Sequence, residues 1–151
     1  MKNRRKLEKI LNEIKESKTK YVLDLVKQLY EQSEIFRGVV DETQLHEYTT
    51  REDVIVNDNG DIILHISFAS NFTHRVIYVL TKDSEAAMFK YAHNTFYIIS
   101  PKACKVPVEP DCVFATRTCY GFGSWGTTQY NSRCEQIAHS EGREQLGSCC
   151  D

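Results

Sequence analysis

Cysteine is missing from the first 103 residues, and all six cysteines lie beyond them. An even number would suit disulfides, but no export signal precedes them. That combination favours free thiols or a metal site over a disulfide framework. Equally absent is any run approaching the ~20 apolar residues that a membrane helix needs. The start, Met-Lys-Asn-Arg-Arg-Lys, is basic, yet Glu8, Asn12 and Glu13 interrupt the stretch where a secretory signal needs an unbroken apolar core. The chain therefore reads as cytoplasmic and without a membrane role, or as a mature piece of something longer. No excess of one charge is present: the net charge is −2, which argues against nucleic acid or an anionic membrane as partner. There is no internal repeat and no low-complexity tract.

What is present is ordinary globular material. Of 151 residues, 41% are hydrophobic and 26% charged, which suits one domain with a real core. The expected organisation is a helical segment over 4–31, a β-meander core over 35–100 with one short helix, and a cysteine-containing extension over 101–151. Charge is uneven along this length. Residues 2–20 hold eight Lys/Arg against three Glu, giving a basic face that is either simply solvated or able to meet an acidic partner.

The organising stretch is Val54 to Leu80. Asn59-Gly60 sits between two β-branched runs and predicts a tight type I′ hairpin. A third apolar run, Val76 to Leu80, follows after a polar break and completes a meander. Ile62, Leu64, Ile66 and Phe68 share one parity, while Ile63, His65 and Ser67 share the other; this suits a sheet with one covered face. Ahead of the meander, Leu7, Ile10, Leu11 and Ile14 fall at i, i+3, i+4, i+7, and Val22, Leu25, Val26, Leu29 and Tyr30 repeat the pattern. The polar segment Ser17-Lys18-Thr19 makes this one long helix or a helix pair. Its stripe must be buried, either on its own sheet or by homodimerisation through the N-terminal helix.

Ile35 to Val40 reads as a short strand, Asp83 to Tyr91 as a short helix capped by Asp83 or Ser84, and Asn94 to Ile99 as a fourth strand. Cys112 to Tyr120 alternates like a strand, Gly121 to Gly126 is a glycine-rich turn, and Thr127 to Ile137 is a return strand or a helix start. Ser140 to Asp151 reads as an extended tail. The fold class is thus α+β: a helix or helix pair on an antiparallel sheet of four to six strands, with a cysteine-bearing C-terminal hairpin or extension.

Three sets of residues carry candidate chemistry. His65-Ile66-Ser67 and His93-Asn94-Thr95 are each followed by Phe. Alternation puts His and Ser/Thr of one triplet on the same face of a strand. The pair resembles the His-x-Ser/Thr motifs of the 2H phosphoesterase family. The resemblance implies two histidines as general acid and base, with hydroxyls holding a phosphate of a nucleotide or RNA. It covers six residues, with 27 residues between His65 and His93. A second set, Cys112, Cys119, Cys134 and His139, could supply four zinc ligands; Cys134 and His139, separated by four residues, form a usable half-site. No other cofactor is called for. The third set is the helix stripe Leu7, Ile10, Leu11 and Ile14, as a surface for a protein partner. Gly121-Phe-Gly-Ser-Trp-Gly126 matches G-x-G-x-x-G, but no βαβ unit precedes it, so a hairpin turn is the expectation. The reading that follows is a non-catalytic binding or regulatory protein acting through protein–protein contact; the alternative is a small phosphodiesterase-like enzyme.

Overall fold

A computed structural model describes residues 3–70, 73–91, 96–99, 106–121 and 123–143. The chain forms two compact units, Met1–Ala92 and His93–Asp151, where composition alone suggested one domain with an extension. The architecture is α+β, with N-terminal helices on an antiparallel sheet and cysteine-bearing strands towards the C-terminus.

In the first unit the helical segment is a pair, α1 (Arg4–Glu16) and α2 (Leu23–Gln32), followed by the single turn α3 (Glu34–Arg37). The break falls at the polar dip. Ser17 turns to an extended conformation, and the hydroxyls of Ser17 and Thr19 accept from Thr19 N and Tyr21 N. Such local bonds compete with helical ones. The Arg51 guanidinium closes the end of α1 by donating to Ile14 O (2.7 Å), Lys15 O (3.2 Å) and Ser17 O (3.0 Å). A cation at a helix C-terminus also complements the dipole.

The sheet is a meander in the order β1 (Thr50–Val56), β2 (Ile62–Ser67), β3 (His74–Leu80), β4 (Glu85–Tyr91), antiparallel throughout. Ile62, Leu64, Ile66, Val76, Tyr78 and Leu80 on one face meet Leu7, Leu11, Ile14, Val26, Leu29 and Phe36 from the helices in a single core. The other face is buried as well along β2 and β3, through Ile63, His65, Ser67, Arg75, Ile77 and Val79. The single covered face expected from alternation is thereby corrected: the opposite parity is apolar too, apart from three polar positions.

Three local expectations are also corrected. The β1–β2 connection is not a type I′ turn. Among the described residues only Cys134 is a non-glycine with positive φ, so Asn59 is not left-handed; Gly60, at φ 81°, is. The turn is drawn one residue earlier by the Asn57 side chain, whose Oδ1 accepts from Asn59 N and Asp61 N, each at 3.0 Å. The result is a three-residue loop closed by a left-handed residue. Ile35 to Val40 is not a strand: the Ser33 hydroxyl accepts from Phe36 N (3.0 Å) and starts α3. Asp83 to Tyr91 is not a helix. Thr81 Oγ1 accepts from Ser84 N (3.0 Å) and Thr81 N donates to Ser84 O (2.9 Å), which makes a turn, and β4 then pairs with all seven residues of β3. Pairing along a full strand outweighs the weak local helix preference of Glu-Ala-Ala-Met.

A buried polar knot ties these parts together. Ser33 Oγ donates to Glu85 Oε1 at 2.6 Å, and Tyr78 Oη donates to the same oxygen at 2.5 Å. Burial, then the Glu85 carboxylate, push the Tyr78 phenol well above its ordinary range. Arg4 donates to Thr81 O beside it.

The second unit is a separate antiparallel sheet in the order β5 (Phe96–Ile99), β6 (Phe114–Gly121), β7 (Ser124–Tyr130), β8 (Gln136–Arg143). The expected fourth strand therefore belongs to this sheet and not to the meander. The glycine-rich segment is the β6–β7 hairpin, with Gly123 at φ 77°. Gly126 lies under the Tyr120 ring, where a Cβ would stand 2.8 Å from Cε2. Phe114 and Tyr130 stack with centroids 4.9 Å apart, and the buried Arg117 guanidinium sits 3.8 Å over the Trp125 ring. Residues 140–143, expected in a tail, belong to β8; 144–151 lie outside the described residues.

The β7–β8 loop repeats the β1–β2 loop bond for bond. Asn131 Oδ1 accepts from Arg133 N (2.9 Å) and Glu135 N (3.0 Å), and Asn131 Nδ2 donates to Glu135 Oε1 (3.1 Å). At the first loop Asn57 Nδ2 donates to Asp61 Oδ2 (3.0 Å) in the same way. Cys134, at φ 61°, holds the position that Gly60 holds there.

Candidate functional site

His65 and Ser67 share one face of β2, as alternation predicts. His65 stands opposite Asp53 and Ile77 in register, and Ser67 opposite Thr50 and Arg75. His65 is 2% exposed, and burial, then the Arg75 charge, lower its pKa to about 3. An imidazole that holds its proton so weakly is a poor acid or base near neutrality. The Ser67 hydroxyl donates to Glu52 Oε1 at 2.6 Å. Glu52 is the extra residue of a bulge between Arg51 and Asp53, and its carboxylate opposes an anionic ligand at that hydroxyl. His93 and Thr95, the other triplet, lie outside the described residues.

The zinc set does not assemble. Among the described residues no three His, Cys, Asp or Glu side chains form a metal-sized group, and Cys112, Cys119 and Cys134 are free. Cys112 Sγ donates to Phe114 O, and burial raises its pKa. Burial pushes the Cys134 thiol up to about 12. Both shifts disfavour the thiolate, which is the form that binds metal or attacks. His139 is turned to Thr128 Oγ1 (2.9 Å) and Glu141 Oε1 (3.3 Å) on its own sheet.

The helix stripe is corrected too. Leu7, Leu11 and Ile14 are fully buried and Ile10 is 6% exposed, all within the core of their own unit, so they present no surface to a partner.

A further candidate surface lies at a sheet edge. The two edges of the meander differ. At β1, the bulge and the run Arg51-Glu52-Asp53 interrupt pairing, Tyr21 bridges to Thr50, and Arg51 N donates to Lys20 O at 2.7 Å. Bulges, charges and covering segments are the usual protections of an edge. At β4, seven pairs run without a register shift and, among the described residues, the strand pairs with β3 alone; the charges it carries are Glu85 and Lys90. Phe89 projects from it, 37% exposed. Beside Phe89 runs a groove of about 670 Å³, walled by Tyr30, Arg37, Val39, Asp41 and Thr43. Its walls are held in place. Arg37 donates to Tyr30 O (2.6 Å) and Glu31 O (2.8 Å), and Asp41 and Gln44 form a reciprocal capping box. Sequence reasoning missed this edge because it read Asp83 to Tyr91 as helix. The available signal was the apolar β3 run, which needs a strand on each side.

Among the described residues no helix is long and apolar enough to cross a membrane. No protein family, curated protein or solved structure matches this chain.

Proposed function

We propose that the chain is a non-catalytic binding protein, acting through protein–protein contact at the β4 edge and the adjoining Phe89 groove. The observation that carries this is the contrast between the two edges of one sheet: β1 is bulged at Glu52 and bridged by Tyr21, while β4 runs for seven pairs without a register shift. Strand addition supplies main-chain bonds for affinity, and a neighbouring groove reads the side chains of the added segment. The burial of His65 and the Glu52 bond of Ser67 favour this reading over phosphodiester chemistry. A reducing, cytoplasmic setting fits the free thiols of Cys112, Cys119 and Cys134.

The test pairs two measurements. A photo-crosslinking phenylalanine analogue at position 89 should give protein adducts, and the same probe at the exposed position 12 on α1 should give few. Hydrolysis of a phosphodiester by the purified chain, lost in His65→Ala, would overturn the reading.

A further inference from the structure

Strand β4 reads Glu85-Ala-Ala-Met-Phe-Lys-Tyr91. Its register with β3 puts positions 85, 87 and 89 on the helix-facing side and 86, 88 and 90 on the other. Consider this strand laid antiparallel on a copy of itself, about a two-fold axis through Met88 normal to the sheet. Each face of one copy then continues the same face of the other, as strand alternation requires. Ala86 stands opposite Lys90 of the partner subunit, Ala87 opposite Phe89 of the partner subunit, and Met88 opposite itself. Small meets large at both flanking pairs. No like charges meet, because Glu85 falls opposite position 91 and Lys90 opposite an alanine. All seven residues are used. Two neighbouring registers also preserve the faces and keep five pairs each: one centred on Ala87 sets alanine against alanine and places Glu85 opposite Phe89, and one centred on Phe89 sets that residue against itself and leaves Glu85 and Ala86 unused.

We propose that the occupant of the β4 edge is a second copy of this chain. The two copies pair β4 with β4 about Met88 to make one continuous eight-stranded antiparallel sheet. This rests on the binding reading above and names its partner. The side chains of Phe89 and Ala87 then interlock beside the groove walled by Tyr30 and Val39. Strength follows from size. Seven residues at ~3.3 Å each make a contact about 23 Å long. A single strand edge covers well under the ~800 Å² per partner of a standard stable complex, so the dimer is reversible and concentration-dependent.

Sedimentation velocity on the full chain, from roughly 10 to 500 μM, spans the range of weak association. The sedimentation coefficient should rise across it from monomer towards dimer. Phe89→Glu brings a carboxylate diagonal to Glu85 of the partner subunit and should weaken dimerisation about tenfold or more, with the helical circular dichroism kept. Under mild oxidation Met88→Cys should give a covalent dimer whose mapped peptides join position 88 to position 88. A coefficient that stays constant over the range, or the absence of any link joining position 88 to position 88, overturns the proposal. A strict monomer whose position 89 crosslinks to a different protein also overturns it, while leaving the binding reading standing. His65-dependent hydrolysis instead removes the binding reading itself.

Discussion

Gly60→Ala and Cys134→Gly should shift stability in opposite directions, although they alter the same position of the same loop. Both residues are left-handed, at φ 81° and 61°. A side chain there costs about 1–2 kcal/mol. Glycine in turn loses about 0.5–1 kcal/mol more chain entropy on folding. Gly60→Ala meets nothing within 4 Å of the added Cβ, so only these backbone effects act. The net loss is about 0.5–1 kcal/mol. Cys134→Gly reverses both effects and gives up some side-chain burial, for a net gain of up to about 1 kcal/mol. With a urea slope of about 1–2 kcal/mol/M, each change moves a midpoint by about 0.5 M. The two units carry their own reporters. All the described helices lie in the first, so far-UV circular dichroism follows Gly60→Ala. The chain's single tryptophan, Trp125, lies in the second, so its fluorescence follows Cys134→Gly. Midpoints that move the same way in both variants would refute the claim that one backbone conformation governs both loops.

Three further outcomes follow. His65 is held neutral in the fold, with its pKa depressed from 6.5 to about 3, so the unfolded chain binds the extra proton first. Its contribution is therefore complete above pH 6.5 and lost as pH falls from there towards 3, at up to about 1.4 kcal/mol per pH unit. Urea titrations between pH 7 and 5 should show that slope in the wild type and lose it in His65→Gln; equal slopes would refute it. Ser33→Ala removes the α3 cap and a donor to the Glu85 carboxylate, and should cost about 2–3 kcal/mol in denaturant unfolding; a cost below about 0.5 kcal/mol would refute the polar knot as a stabilising element. Arg51→Ala removes three bonds to the end of α1 and should cost about 1–3 kcal/mol, with faster amide exchange in the last turn of α1; unchanged exchange would show the cap to be idle.

The meander and its helix layer were legible because apolar period and turn chemistry agree there: Ile62 to Phe68 alternates, and Leu7 to Ile14 repeats at the helical spacing. The β6–β7 hairpin and the class of fold came from the same signals, while the polar dip at Ser17 left one long helix and a helix pair both open. What the sequence hid is non-local. Glu85-Ala-Ala-Met prefers helix weakly, and only its pairing with Val76 to Leu80 makes it strand. The loop at Asn57 looked like an Asn-Gly turn because the contest between Asn59 and the Asn57 side chain is settled by hydrogen bonds to atoms four residues on. The binding stripe failed for a plainer reason: periodicity shows that a face is buried and not what buries it. The zinc set failed because spacing along the chain says nothing about which way strands turn their thiols.

Arg51 does two things from one place. Its guanidinium holds the last carbonyls of α1, while its amide fastens Lys20 to the outer margin of β1. The corner between the first two helices is thus stitched to a strand some thirty residues further along the chain. Neither part can come loose without releasing the other. Amides at the tail of α1 and at the head of β1 should open together as one breathing unit, slower than a frayed helix end and faster than the heart of the sheet.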